Sequence, residues 1–187
     1  MKCSRVRCAV IVSLLFFTSF FAAAQYQPLQ KFIPPNYLLL DSASGDLDKD
    51  SLPDLVLVLK VNNEAEAPDT TRPLLLLRKN KAGLYALIAR NDSVVLCLGC
   101  GGAMGDPYQG ITIKNGYFSI EHYGGSSWRW SRIITFRYDS NSKRFILHRD
   151  AGESFHASNP NKSTKTLYSK GLAGKCFFEN FSSESGW

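Results

Sequence analysis

The stretch Ile111-Thr112-Ile113-Lys114-Asn115-Gly116-Tyr117-Phe118-Ser119-Ile120-Glu121-His122-Tyr123 decides the fold class. Residues 111–114 alternate apolar and polar, and side chains that alternate suit a strand with one face buried. Asn115-Gly116 is the dipeptide that accepts positive φ at both central positions of a type I′ turn, whose twist matches the strands on either side. Residues 117–123 then return as the second strand of a hairpin. Downstream, residues 128–138 and 144–149 are rich in aromatic and branched side chains and flank Asp139-Ser140-Asn141-Ser142, which predicts a second antiparallel pair.

Upstream, Pro34-Pro35 forbids a helix running into residues 37–40, so that short apolar run reads as a strand. Residues 54–61, Asp-Leu-Val-Leu-Val-Leu-Lys-Val, are too few for a stable helix and read as a buried strand. Residues 62–71 contain Pro68 and form a loop; residues 74–77 and 84–89 are further strands around the Lys79-Asn80-Lys81-Ala82-Gly83 turn. These four runs make one antiparallel meander. Residues 159–175 read as a polar tail, and residues 175–181 as a last strand. No stretch carries helical periodicity over three turns and no period of 20 to 50 residues recurs. The expected fold is all-β and mostly antiparallel, a small sandwich or propeller-blade-like assembly with little helix.

The chain has 187 residues, 44% hydrophobic and 20% charged, enough for a single domain with its own core. Residues 1–24 stand apart from it. Lys2, Arg5 and Arg7 precede an apolar stretch at 8–21 and then Ala22-Ala23-Ala24, the layout of a Sec-type signal peptide cut after Ala24. The apolar part is shorter than the roughly 20 residues of a membrane-spanning helix, so the processed chain, 25–187, is expected to have no membrane span. The expected location is periplasmic or extracellular, after bacterial export. Without Lys2, Arg5 and Arg7 the 22 basic residues become 19 against 16 acidic ones, a net charge of +3. Those charges are scattered, and a nucleic-acid partner, which needs a clustered basic stripe, is not expected.

Gly45-Asp46-Leu47-Asp48-Lys49-Asp50-Ser51-Leu52-Pro53-Asp54 carries the sharpest chemistry. Carboxylates at alternate positions of a tight turn can converge, and calcium takes six to eight hard oxygens. Asp46, Asp48, Asp50 and Asp54 would be ligands through their side chains and Leu52 through its carbonyl. The alternative is an acidic turn whose aspartates cap backbone amides. Ser51 stands at the turn position where glycine is favoured, which predicts a looser loop. Leu57 occupies the position where an EF-hand needs a bidentate acid, which excludes that motif.

Cys97-Leu98-Gly99-Cys100, followed by Gly101, Gly102, Gly105 and Pro107, reads as an irregular loop. A structural Cys97–Cys100 disulfide is expected; the alternatives are a redox pair, a metal site completed by His122 or His148, and thiols left free or paired with Cys176. Eight aromatic residues fall within the 31 residues 108–138. Most of them are core. Trp128 and Trp130, two apart on one strand and near Tyr123 and the Gly124-Gly125 pair, form a candidate platform for a glycan or a protein partner.

The acidic loop resembles the calcium loop of FG-GAP (VCBS-type) repeats, D-x-D-x-D-G-x-x-D leading into a strand. The segments Cys100-Gly101-Gly102, Gly105-Asp106-Pro107, Gly110-Ile111, His122-Tyr123-Gly124-Gly125-Ser126 and Trp128-Arg129-Trp130 resemble a family of uncharacterised secreted bacterial proteins with one such loop. The resemblance runs over about residues 37–138 and implies export, a β fold and structural calcium, with no reaction. The expected function is therefore an exported, non-enzymatic β domain that binds a protein or glycan. The alternative is a small secreted hydrolase using Asp106 and His122 with a hydroxyl such as Ser126.

Overall fold

A computed structural model describes residues 29–183; the expected signal peptide at 1–24 lies outside them. Two compact units are distinguished, residues 1–34 and 35–187. The described part of the first is a single 3₁₀ turn, Gln30–Phe32.

The second unit is mostly antiparallel β, in two sheets with no closed barrel. The first sheet is a meander of β1 (Tyr37–Gly45), β2 (Asp54–Val61), β3 (Arg72–Lys79) and β4 (Tyr85–Val95), in the order β1-β2-β3-β4. The second continues as β5 (Tyr108–Lys114), β6 (Tyr117–Gly125), β7 (Trp128–Asp139), β8 (Arg144–His156) and β9 (Asn159–Leu167), again with neighbours in chain order. Every strand pairing among these is local in sequence, so short turns alone specify the order of both sheets.

The Asn115-Gly116 turn behaves as its chemistry predicts. Lys114 faces Tyr117 across it, and φ is +55° at Asn115 and +77° at Gly116. From there β6 alternates strictly, with Phe118, Ile120, His122 and Gly124 buried and their neighbours partly exposed. Phe118 and Ile120 meet Phe136 and Ile134 of β7, Phe145 and Leu147 of β8, and Val56, Val58, Leu74 and Leu76 of the first sheet in one core. Phe118 and Phe136 stack with centroids 5.3 Å apart, and Phe178 packs edge-on against both. In β2 and β3 the alternate set, Leu57, Leu59, Leu75 and Leu77, is buried as well, which explains why these strands read as continuous apolar runs.

Three segments depart from the reading of the sequence. Residues 159–167 form β9, paired with β8, instead of a polar tail. Every side chain of β9 is exposed, so no apolar alternation marked it. Residues 175–181 form no regular strand: Phe177 makes an isolated bridge to Ile146, and Phe178–Asn180 is a 3₁₀ turn. The Asn91 side chain fixes that turn by donating to the carbonyls of Phe178 and Phe181, at 2.5 and 2.7 Å. The glycine-rich segment winds into 3₁₀ turns over Leu98–Met104, kinked at Gly102, where φ is +65°.

Candidate functional site

The acidic loop joins β1 to β2 and is built by its own backbone. The Asp46 carboxylate accepts the amides of Asp50 (3.1 Å) and Ser51 (2.9 Å), Asp48 accepts that of Asp50 (3.3 Å), and Asp50 accepts that of Leu52 (2.8 Å). Lys49 and Ser51 both take positive φ, +66° and +68°. Ser51 thus adopts the conformation for which glycine is favoured, and the turn closes with serine in that place. These bonds draw Asp46, Asp48 and Asp50 together, one carboxylate oxygen from each lying within 4.8 Å of the others.

Asp54 plays another part. It is fully buried, and its two oxygens accept the amides of Leu47 (3.1 Å) and Lys79 (2.9 Å), tying the loop to the end of β3. Burial pushes the Asp54 carboxyl above the ordinary carboxylate range, against those two hydrogen bonds. Asp48 is raised as well, first by burial and then by the charge of Asp50. Arg78 lies 3.7 Å from Asp48. The loop leans on the hairpin turn of the other sheet, where Lys49 covers Gly116 so closely that a Cβ there would fall 2.6 Å from the lysine Cε.

The donor set fits calcium. Oxygens bound to one calcium ion at about 2.3–2.6 Å cannot lie much more than about 5 Å apart, and hard carboxylates without nitrogen or sulfur suit calcium over zinc or copper. Asp46, Asp48 and Asp50 would hold the ion through their side chains.

The aromatic candidates divide between two faces. Gly124 pairs with Trp130 and Tyr123 with Ser131, so alternation puts Tyr123 on the face opposite Trp128 and Trp130. Trp130 lies over Gly124, where a Cβ would come within 2.5 Å of the indole. Trp128 is 63% exposed, with His156 edge-on at 5.3 Å. The Leu98–Met104 turns pack beside this end of β6, where Gly102 backs onto the Gly125 carbonyl. Within those turns Cys97 and Cys100 form a disulfide, and Cys176 is free. Burial raises the Cys176 thiol above its ordinary range.

Among the described residues no hydrogen bond joins Asp106, His122 and Ser126 to one another. Asp106 accepts two hydrogen bonds from Arg72, at 2.7 and 2.8 Å, and one from the Tyr108 amide. Burial raises the Asp106 carboxyl, but the Arg72 hydrogen bonds and the Tyr108 amide outweigh it and hold it below the ordinary range. Arg72 is fully buried and also donates to both oxygens of Glu64, at 2.5 and 3.0 Å. His122 is buried, and its Nε2 accepts the Leu96 amide at 3.2 Å. Burial, reinforced by the nearby Arg132 and Arg72 charges, lowers His122 to about 3, so it is neutral across the physiological range.

The two buried arginines were not read from the sequence. Arg72 meets Asp106 across 34 residues, and Arg132 forms a bidentate pair with Asp150 at 2.8 and 2.7 Å across 18. Only an arginine standing at the head of a leucine run, Arg72-Pro73-Leu74, hinted that a cation would be drawn into the core. No protein-family model, curated protein or solved structure matches the chain.

Proposed function

We propose that the protein is an exported, non-enzymatic β domain in which the acidic loop holds one structural calcium ion and the Trp128 end of the second sheet meets a protein or glycan partner. The gathering of Asp46, Asp48 and Asp50 oxygens within 4.8 Å carries this reading. Three carboxylates that close repel one another unless a cation neutralises them, and the neighbouring Arg78 is itself exposed. Calcium bound there would lock the β1–β2 connection against the Asn115-Gly116 turn of the other sheet. The likeness to FG-GAP loops and to a secreted bacterial family points the same way. The Cys97–Cys100 disulfide supports an oxidising compartment, as does the signal-like N-terminus.

The exposed Trp128 indole supports the binding role, since a large ring held at a strand end and open to solvent suits stacking on a sugar or an apolar patch. The hydrolase alternative has no comparable support, with Asp106 engaged by Arg72 and His122 buried. Thermal unfolding of residues 25–187 in EDTA and in millimolar calcium tests the metal: a rise that Asp46→Asn and Asp50→Asn abolish is expected, and an unchanged midpoint would sink it. Quenching of Trp128 fluorescence by a panel of glycans and peptides, lost in Trp128→Ala, tests the partner face.

A further inference from the structure

The outer face of the second sheet carries a feature unrelated to the acidic loop and to Trp128. Ser131, Ile133 and Thr135 of β7, residues 148, 149 and 151–153 of β8, the end of β9 and parts of the turn at 169–173 line an open groove of about 1020 Å³. Its floor is aliphatic: Ile133 faces Ala151, and Ala151 faces Leu167, with Ile133 46% and Leu167 53% exposed. Its rim is cationic, formed by Arg149, Lys165 and Lys170. Among the described residues none of these three makes an ion pair. The one acid of the lining, Glu153, accepts a hydrogen bond from the Ser163 hydroxyl.

Beside the groove, β9 is an edge. It pairs with β8 along one side only, and all nine of its residues are exposed. Pro160 has no amide hydrogen, but along residues 163–167, where the pairing with β8 is regular, the unpaired amides and carbonyls of such an edge are a template for another strand. Lys162 and Lys165 on β9 repel a second copy of the same basic edge and attract an acidic strand. An added strand would project alternate side chains onto the outer face, where aliphatic ones meet the Ile133–Leu167 floor and acidic ones meet Lys165, Lys170 and Arg149. A sugar ring finds no Tyr, Trp or Phe to stack on in this lining.

We propose that β9 and the groove beside it bind an extended acidic peptide segment of a partner protein by strand addition, aliphatic and acidic side chains alternating. The test uses a fluorescently labelled synthetic peptide of alternating valine and glutamate, as long as β9, titrated by anisotropy against the folded protein. Saturable binding is expected, together with at least a tenfold loss in Lys165→Glu/Lys170→Glu, whose exposed positions leave the circular dichroism unchanged. Alternating N-methylation of the peptide should cause a similar loss, because it removes backbone donors without touching the protein. Equal binding of a valine–lysine peptide, or no binding of the valine–glutamate one, would overturn the proposal. So would full competition by an oligogalacturonate with no effect of N-methylation, which would make the groove a glycan site.

Discussion

The acidic loop and the Arg132–Asp150 pair both concentrate charge, and they differ in where the counter-charge comes from. In the loop three carboxylates crowd together near the surface, with Arg78, 44% exposed, as their cationic neighbour. In the pair one guanidinium and one carboxylate meet in a bidentate contact, both essentially buried, and the guanidinium also donates to the Ser183 carbonyl. The first leaves negative charge uncompensated at a place water and ions reach. The second closes its own balance where they do not. Surplus charge at a surface stays open to ions from solution, whereas matched charge in the interior is architecture.

The largest effect that would break this contrast is at Arg132. Arg132→Met strands Asp150 as an unpaired buried carboxylate and should cost about 3–5 kcal/mol, read from the urea midpoint. Arg132→Met/Asp150→Leu should recover much of that loss. A single variant no less stable than the double would show that the pair is not the anchor described.

Next in size is the metal. Calcium at about a hundredfold excess over its Kd should add about 2.7 kcal/mol, and Asp50→Asn should remove the gain. In EDTA the sign reverses: Asp48→Asn should be neutral or stabilising, because it relieves repulsion at a carboxyl already raised by burial and by Asp50. Loss of stability in EDTA would mean that the amide-capping bonds of the aspartates outweigh their mutual repulsion.

His122 comes third. Its folded value of about 3 lies far below the ordinary 6.5, so above pH 6.5 both states are neutral and stability is full. As pH falls below 6.5 the unfolded chain takes up a proton that the folded chain refuses, and about 2 kcal/mol should be lost by pH 5. Asp48 and Asp54, raised in the fold, act in the opposite direction and add stability as pH falls through their values. Urea midpoints between pH 7.5 and 5 check the slope, which His122→Gln should flatten. The smallest effect is at Arg78, where Arg78→Ala should cost about 0.2–1 kcal/mol in EDTA and tighten calcium binding by removing a competing cation. Calorimetry that found weaker binding would make Arg78 part of the site.

Much of the architecture was legible because it is local. The hairpin at Asn115-Gly116, the limits of β2 and the order of the first meander follow from turn chemistry and from period-two patterning, which act over a few residues. The acidic loop was legible for the same reason, since its aspartates are neighbours in the chain. β9 was not, because a strand exposed along its whole length carries no apolar alternation. The turn at Phe178–Asn180 was not either, because it is held by Asn91 from 87 residues away.

Residue type and spacing by themselves determined the all-β class, the hairpin register and the cluster of Asp46, Asp48 and Asp50. The tertiary structure alone decided that Asp54 accepts the Leu47 and Lys79 amides and that Tyr123 and Trp130 face opposite ways, whereas the Cys97–Cys100 pairing is as the local spacing led one to expect. The tertiary structure also decided that Asp106 is engaged by Arg72 and that His122 is buried against the Leu96 amide. The physical reason is range. Turn geometry and alternation are set by neighbouring residues, whereas a buried charge chooses its partner by what the folded core brings within about 3 Å, however far apart the two stand in sequence.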